Sequence, residues 1–183
     1  MTISKGPFPD ALMPELPHTE RDSRGHGLRG LRDPVLWLAT GCGVGWIPKA
    51  PGTWGSLVAV PVAILLQMQG VAVFWAGFVL CLAVGIPLTG MAARRLGLSD
   101  PPMVVWDEVA GQLLTLGFAP MGLLNWSVGF LLFRFFDILK PGPIRWIDRK
   151  IRGGWGIMAD DLVAGLIAGL FLYLFVRIHQ VIR

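Results

Sequence analysis

The amino-acid sequence predicts an all-α protein, a compact multi-helix membrane bundle whose polar motifs gather at its cytoplasmic face. Composition is the first observation: 54% of the 183 residues are hydrophobic and 15% are charged, whereas soluble domains carry about 25% charged residues. The second is a series of nearly uncharged segments, and the third is the placement of acidic residues at their edges. The length suits one domain of about five apolar helices, one of them short enough to enter the bilayer only in part.

Residues 1–33 differ from the remainder of the chain. They are rich in Pro, Gly and charged residues and contain no continuous apolar stretch, so we expect a polar, disordered tail. The tail also lacks the apolar run of roughly 7 to 15 residues that marks a secretory signal peptide. No cleavage is expected, and membrane insertion is assigned to residues 34–183, the predicted helical membrane domain.

Five apolar segments follow the tail in chain order. The predicted helices cover residues 55–69, 71–90, 108–118, 123–139 and 161–178. The link QMQG between the first two predicts a tight helical hairpin. The first segment is short for the ~20 residues that span a bilayer.

Basic residues predict the orientation of these helices. The connection over 140–154 carries five Lys or Arg residues, and Arg94 and Arg95 follow the second segment, whereas QMQG and residues 119–126 carry none. Loops rich in Lys and Arg favour the cytoplasmic side. The resulting topology brings residues 49–56 and all the acidic motifs to the cytoplasmic ends of the helices, which predicts a single site.

Carboxylates at the edges of apolar helices are the main candidates for chemistry. An ionised group at such a position costs roughly 2.5 to 3.5 kcal/mol to insert, so it usually lines an enclosed or wet site. The candidates are Asp107, Glu108, Asp137, Asp160 and Asp161. Arg134 and Asp137, three residues apart, share a helix face. Gly165 and Gly169 continue the face of Asp161 and let a neighbouring helix approach closely.

The segment GCGVGWIPKAPGTWGSL, residues 41–57, contains too many glycines and prolines for one continuous helix. Its backbone N–H groups, Lys49, Thr53 and Ser56, together with the start of the following helix, could hold an anion such as phosphate. The glycine pattern alone favours a simple structural turn. Lys49 and Ser56 favour the anion site.

Carboxylates facing bases indicate a hard divalent cation and a phosphate. Mg²⁺ prefers oxygen ligands and is typically held by one or two carboxylates with substrate phosphates. We therefore expect metal-dependent phosphoryl hydrolysis by water that the metal and a carboxylate activate. His18 and His26 lie in the tail and His179 near the C-terminus, so a phosphohistidine route is not expected. The alternative is that the acids and bases only neutralise one another.

Three motifs in this order resemble the phosphatidylglycerophosphatase A family. They are GCGVGWIPKAPGTWGSL, VVWDEVAGQLLTL and FRFFDILKPGPIRWIDRKIRGGWGIMADDLVAGLIAGL. The resemblance covers residues 37–170. It implies a multi-pass, Mg²⁺-dependent lipid phosphatase of the bacterial inner membrane. Its reaction would remove the terminal phosphate of phosphatidylglycerophosphate at the cytoplasmic face, giving phosphatidylglycerol and inorganic phosphate.

The resemblance also implies roles for individual residues. The residues expected to hold the metal or activate water are Asp107, Glu108, Asp137, Asp160 and Asp161. The residues expected to bind phosphate are Lys49, Arg134, Lys140 and Arg145. From their place in the glycine-rich segment, and not from the resemblance, Thr53 and Ser56 are expected to be secondary phosphate contacts. The implied cofactor is Mg²⁺ and the implied partner is an anionic phospholipid in the membrane, with no nucleic acid.

Two other classes of protein compete with the phosphatase. A transporter or cation-binding protein would use the acids as a cation path, but the acids gather at one face and no inverted repeat with broken helices is visible. A purely structural membrane protein would show no metal-dependent activity and would tolerate neutralisation of single charges.

Overall fold

The computed structural model describes residues 32–140, 142 and 153–182. Over these residues the protein is all-helical, as predicted. The helices are α1 (Pro34–Ala39), a 3₁₀ turn (Val44–Trp46), α2 (Pro51–Met68), α3 (Val71–Leu96), α4 (Trp106–Leu116), α5 (Leu123–Leu139) and α6 (Gly154–Ile182). The tail prediction falls on residues that, apart from Arg32 and Asp33, lie outside the described part of the chain.

The hairpin predicted at QMQG is confirmed. α2 ends at Met68 and α3 begins at Val71, and Gly70 between them has φ 107, a conformation that glycine adopts without strain. α2 begins at Pro51, four residues earlier than predicted. Proline suits the first position of a helix because its missing N–H has no intrahelical partner there.

Two other predicted helix boundaries differ more from the structure. α6 begins at Gly154 and not at Asp161, so Asp160 and Asp161 lie inside the helix. α3 continues to Leu96, so Arg94 and Arg95 form its last turn, where cations interact favourably with the helix dipole. A charged residue beside an apolar run predicts a helix edge, but burial of the acids against other helices and the dipole at the end of α3 make charges acceptable inside both helices.

Three helices are long and apolar enough to cross a membrane. These are α2, α3 and α6, which is consistent with a membrane protein. α4 has 11 residues, about 16 Å at 1.5 Å per residue, against the ~30 Å of a hydrocarbon core. Within the described residues, three helices therefore meet the requirements for spanning, and the count of about five apolar helices stays a prediction.

α4 lies at the centre of the bundle and contacts α2, α3, α5 and α6. Small residues allow its close approach to α6: a Cβ on Gly165 would lie 2.4 Å from the Gly111 carbonyl oxygen. The Thr115 hydroxyl donates a hydrogen bond to the Gly165 carbonyl at 3.1 Å. Gly169 packs on Phe118 in the same way. The close contact predicted along Gly165 and Gly169 is confirmed, and it carries the start of α4 to the acids of α6.

Candidate active site

Three carboxylates meet where α4 begins beside α6. Asp107 and Glu108 occupy the first turn of α4, where the helix dipole favours negative charge, and Asp161 comes from α6. Oxygen atoms of the three side chains all lie within 4.8 Å of one another. Asp107 and Asp161 are buried and Glu108 is partly buried. We call these three residues the carboxylate cluster.

A glycine of α2 makes room for this cluster. A Cβ on Gly52 would lie 2.2 Å from Oε1 of Glu108 and 3.1 Å from Nη1 of Arg134. A larger residue would therefore displace the Glu108 carboxylate. Gly52 has no individually predicted role. The available signal was a small residue one helical turn before Ser56.

α5 contributes a partly buried ion pair next to the cluster. Arg134 pairs with Asp137, and their side chains are 14% and 11% exposed, which confirms that the two share a helix face. Nη1 of Arg134 also donates to the Ser56 hydroxyl at 3.4 Å. Asp137 is close enough to Glu108 and Asp161 to interact with both electrostatically. The Arg134 guanidinium is thus fixed beside the carboxylates of Asp137 and Glu108.

A second ion pair joins the end of α5 to α6. Nζ of Lys140 lies 2.5 Å from Oδ2 of Asp160. Lys140 has φ 41 at the C-terminal cap of α5, and Asp160 is buried. Asp160 is not one of the three clustered ligands, although its charge acts on Asp107 and Asp161. The five predicted acids therefore divide into a cluster of three and two acids paired with bases.

Burial shapes the electrostatics of the α4 acids. It raises the pKa of Asp107 well above its usual value of 3.8, and the charges of Glu108 and Asp161 raise it further. Burial likewise raises the pKa of Glu108 from 4.5 to about 7, with Asp137 adding to the rise and Arg134 opposing it. Mutually repelling, desolvated carboxylates need a proton or a cation to be stable.

Several buried polar atoms of the site have no hydrogen-bond partner within the described part of the chain. They are Oδ1 of Asp107, Oε2 of Glu108 and Nε of Arg134. Buried polar atoms are nearly always satisfied in native proteins, so such atoms require an explanation. Two acceptors and one donor side by side match a bound cation and a bound anion.

The other predicted phosphate ligands are placed differently. Ser56 is fully buried, and its hydroxyl donates to the Gly52 carbonyl at 2.8 Å while accepting from Arg134. Thr53 is partly buried and Lys49 is exposed in the segment before α2. Arg145 lies outside the described residues. The structure therefore brings Arg134 and Ser56 to the cluster and leaves the roles of Lys49 and Thr53 as predictions.

Gln112 is a buried polar residue that the sequence analysis missed. It is fully buried, and both atoms of its amide lack a partner among the described residues. It follows Glu108 by four residues on α4, so it lies on the same helix face one turn further from the cluster. A polar residue within the apolar run of α4, at that spacing from Glu108, was the available signal.

A large cavity of the described structure lies away from these acids. It measures about 640 Å³ and lies between the end of α3 and the start of α6, lined by Arg94, Gly97, Asp100 and Gly156 among others. No residue of the carboxylate cluster lines it. Position and chemistry, and not cavity size, identify the candidate site.

Fold and site together define an all-helical protein with helices that could cross a membrane and a buried acidic group that could hold a cation beside a fixed arginine. A family model described as Phosphatidylglycerophosphatase A matches residues 37–176. The chain belongs to the phosphatidylglycerophosphatase A family and is an enzyme, a phosphoric monoester hydrolase. Membership of this family decides against the transporter and the purely structural alternatives.

Curated relatives agree with this assignment. Phosphatidylglycerophosphatase A of Haemophilus influenzae is 41% identical over 145 residues, 78% of this chain and 89% of the relative. The Escherichia coli K12 protein of the same name is 40% identical over 144 residues, 78% and 84% of the two chains. A putative phosphatidylinositol-3-phosphatase of Bacteroides thetaiotaomicron is 37% identical over 142 residues, 73% and 87%. No solved structure matches the chain.

Proposed function

We propose that this protein hydrolyses the terminal phosphate monoester of phosphatidylglycerophosphate, giving phosphatidylglycerol and inorganic phosphate, with Mg²⁺ held by the carboxylate cluster. The observation that carries the proposal is the meeting of three carboxylates beside one fixed guanidinium in a member of this family. The chemistry of the donors and the atoms without partners supports it.

The donor set fits a hard divalent cation. All three candidate ligands are carboxylates, and their oxygen atoms lie within 4.8 Å of one another. Oδ1 of Asp107 and Oε2 of Glu108 are buried acceptors with no partner among the described residues. Asp107, Glu108 and Asp161 would hold the ion, which keeps part of its coordination for water and substrate phosphate. Once bound, Mg²⁺ polarises a phosphoryl oxygen and lowers the pKa of bound water.

Arg134 is the residue best placed to bind the phosphate. Its Nη1 contacts Asp137 and Ser56, so helices α5 and α2 fix its orientation. Its Nε is a buried donor without a partner in the described structure. Arginine binds phosphate strongly through such charge-assisted hydrogen bonds. Lys49 and Lys140 would add positive charge near the site, and Arg145, which lies outside the described residues, stays a predicted phosphate ligand from the sequence.

The reaction needs a proton acceptor near the attacking water. The water oxygen bonds to phosphorus, the bond from phosphorus to the glycerol oxygen breaks, and that oxygen takes up a proton. A carboxylate near the cluster accepts the proton of the attacking water. Asp137 is the candidate for this proton acceptor, because it lies near the cluster and is not one of the three proposed cation ligands. Asp160, which is held by Lys140, orients the start of α6.

The proposed location is the bacterial inner membrane, with the site facing the cytoplasm. The starts of α2 and α4 and the end of α5 meet at this site, and the start of α6 lies beside them. The basic connection between α5 and α6 joins the bundle at the same end, which favours the cytoplasm. A lipid can then keep its acyl chains in the bilayer while its headgroup reaches the cluster. Labelling of Leu98→Cys in a cysteine-free background tests the orientation, because it should react only from the cytoplasmic side.

Phosphate release from purified protein tests the activity directly. We expect release from phosphatidylglycerophosphate with Mg²⁺, loss of release with EDTA, and loss in Asp161→Asn. Asp100→Asn is the matched control, because it makes the same change at an exposed acid outside the cluster. Phosphatidylinositol 3-phosphate, suggested by the name of the Bacteroides relative, serves as the competing substrate. Release that survives both EDTA and Asp161→Asn would overturn the proposal.

A further inference from the structure

An apolar groove of about 460 Å³ runs along the outside of the bundle between α2 and α5. Its walls include Leu57, Val60 and Ile64 from α2, and Trp126, Phe130 and Leu131 from α5. Leu57 is 46% exposed and Leu131 is 66% exposed. The groove is therefore open along its side to whatever surrounds the protein.

Two hydrogen bonds fix the direction of this groove. Arg134 on α5 contacts Ser56 on α2, and Trp126 Nε1 donates to Gln67 Oε1 at 3.2 Å. α2 and α5 are thus antiparallel neighbours, and the groove lies between these two contacts. Roughly 16 Å of helix separates Ser56 from Gln67 at about 1.5 Å per residue.

One end of the groove adjoins the carboxylate site. Leu57 directly follows Ser56, and Leu131 precedes Arg134 by three residues, which places it on the neighbouring turn of the same face. Arg134 in turn lies beside Gly52 and Glu108. A molecule with its phosphate at Arg134 would therefore have the mouth of an apolar groove next to it.

We infer that this groove seats one acyl chain of the phosphate-bearing lipid and so holds the headgroup at the carboxylate cluster. The inference rests on the proposed function. A phosphate-bearing lipid matches this arrangement, because its anionic headgroup would bind at Arg134 and its apolar chain would lie in the adjoining groove. Lipid tails are as apolar as the groove walls, so transfer from the bilayer gains little free energy. The groove contributes orientation of the phosphate toward the reacting groups.

Filling the groove tests the inference. Val60→Trp and Ile64→Trp should lower kcat/KM for long-chain phosphatidylglycerophosphate at least tenfold. The same variants should hydrolyse the deacylated headgroup, which has no chain to seat, within twofold of wild type. Val79→Trp is the matched control, since it adds the same ring at an exposed position of α3 outside the groove, and it should leave both substrates unchanged.

The outcomes separate this inference from the function on which it rests. Equal loss on both substrates would show that the variants distort the site, and unchanged kcat/KM on both would show that the groove is not used; either overturns the inference. A change in oligomeric mass with equal loss on both substrates would assign the groove to a second copy of the chain, which also overturns it. Wild-type protein that releases no phosphate from the lipid would instead overturn the proposed function.

Photocrosslinking provides a test that requires no variant to fold. The probe is a lipid with the phosphate headgroup intact and a diazirine in one acyl chain, used with wild-type protein. We expect labelled peptides from residues 57–64 and 123–131, and competition by unlabelled phosphatidylglycerophosphate but not by phosphatidylglycerol. Labelling that both lipids reduce equally would show only the general lipid of the membrane in the groove and would overturn the inference.

Discussion

The carboxylate cluster and the two ion pairs beside it contain the same kinds of residue in opposite electrostatic situations. Asp137 and Asp160 each face a base, Arg134 and Lys140. In the described part of the chain, the three clustered acids form no such ion pair. An acid with its own base is neutralised before any ligand arrives, whereas the cluster retains its repulsion until a proton or cation relieves it.

The difference indicates how the work is divided at the site. The cluster is the part that binding of a cation would change most. The ion pairs hold the guanidinium and the start of α6 in place whether or not a cation is present. Neutralising a clustered acid should therefore remove a ligand, whereas neutralising Asp160, which is paired and has no assigned part in proton transfer, should only loosen the positions of its neighbours.

The largest expected effect compares one acid from each group. Asp107→Asn should lower kcat for phosphate release at least about 1,000-fold, or ~4 kcal/mol of activation free energy, because a ligand is lost. Asp160→Asn should lower it roughly 10- to 100-fold, as expected for a residue that orients other ligands. Phosphate release at saturating Mg²⁺ measures both, with circular dichroism as the check on folding. Equal losses would remove the distinction between the two groups.

A glycine substitution comes next in size. Gly52→Ala should lower kcat/KM about 100-fold, because its Cβ would displace the Glu108 carboxylate, and a shift of about 1 Å in a catalytic group can cost that much. Gly77→Ala is the control: its Cβ would meet only the flexible end of Leu66 at 2.9 Å. Full activity in both variants would contradict the prediction, because it would show that activity does not depend on the position of the Glu108 carboxylate beside α2.

The stability of metal-free protein should depend on pH through the α4 acids. The pKa of Glu108 is raised from 4.5 to about 7 in the folded state, so the folded protein holds a proton that the unfolded chain releases. The resulting stabilisation is complete below pH 4.5 and is lost as the pH rises toward 7. Thermal unfolding in EDTA should show a midpoint several degrees lower at pH 8 than at pH 5.

Added Mg²⁺ should reverse this dependence. It should raise the unfolding midpoint more at pH 8, where the cluster is ionised, than at pH 5, where protons compete for the same oxygens. Glu108→Gln, which cannot lose a proton, is the control and should show a smaller pH dependence in EDTA. A midpoint in EDTA that rises between pH 5 and pH 8 would contradict the raised pKa of Glu108.

The smallest expected effect concerns Gln112. Its amide is fully buried without a partner in the described residues, and leaving such a group unpaired costs about 1 to 3 kcal/mol. Gln112→Leu should therefore raise the thermal midpoint by a few degrees. A lower midpoint for Gln112→Leu would contradict this, because it would mean that the amide has a partner such as a buried water. Gln112→Glu is the second variant. It should strongly lower the midpoint, because it places a carboxyl group in apolar surroundings.

Much of the fold could be predicted from local sequence signals. The QMQG hairpin, the apolar runs and the shared face of Arg134 and Asp137 depend on residues close together in the chain, and all three are confirmed. The start of α6 could not be predicted in this way. In sequence, Asp160 and Asp161 look like the first residues of a helix. The helix begins earlier, at Gly154, and both acids are tolerated inside it because they are buried against α4 and α5.

The candidate site divides in the same manner. Its members could be named because ionisable residues are conspicuous in apolar segments. Their separation into a cluster and two ion pairs depends on contacts between α4, α5 and α6, which the sequence does not specify. Gly52 and Gln112 could not be predicted for the same reason, since their importance depends on contacts between helices. Gly52 leaves space for the Glu108 carboxylate, and the buried amide of Gln112 lacks a hydrogen-bond partner among the described residues.

Calorimetric titration of metal-free protein with a divalent cation tests the central claim most directly, because it reports on the cluster without requiring turnover. Mn²⁺ is a suitable probe, since it shares the preference of Mg²⁺ for carboxylate and water ligands. We predict saturable binding to wild type, binding roughly 10-fold weaker in Asp160→Asn, as expected for a residue that orients other ligands, and binding weaker by at least about 100-fold in Asp161→Asn, which loses a ligand. Equal affinity in wild type and Asp161→Asn would contradict the assignment of the carboxylate cluster as the cation site.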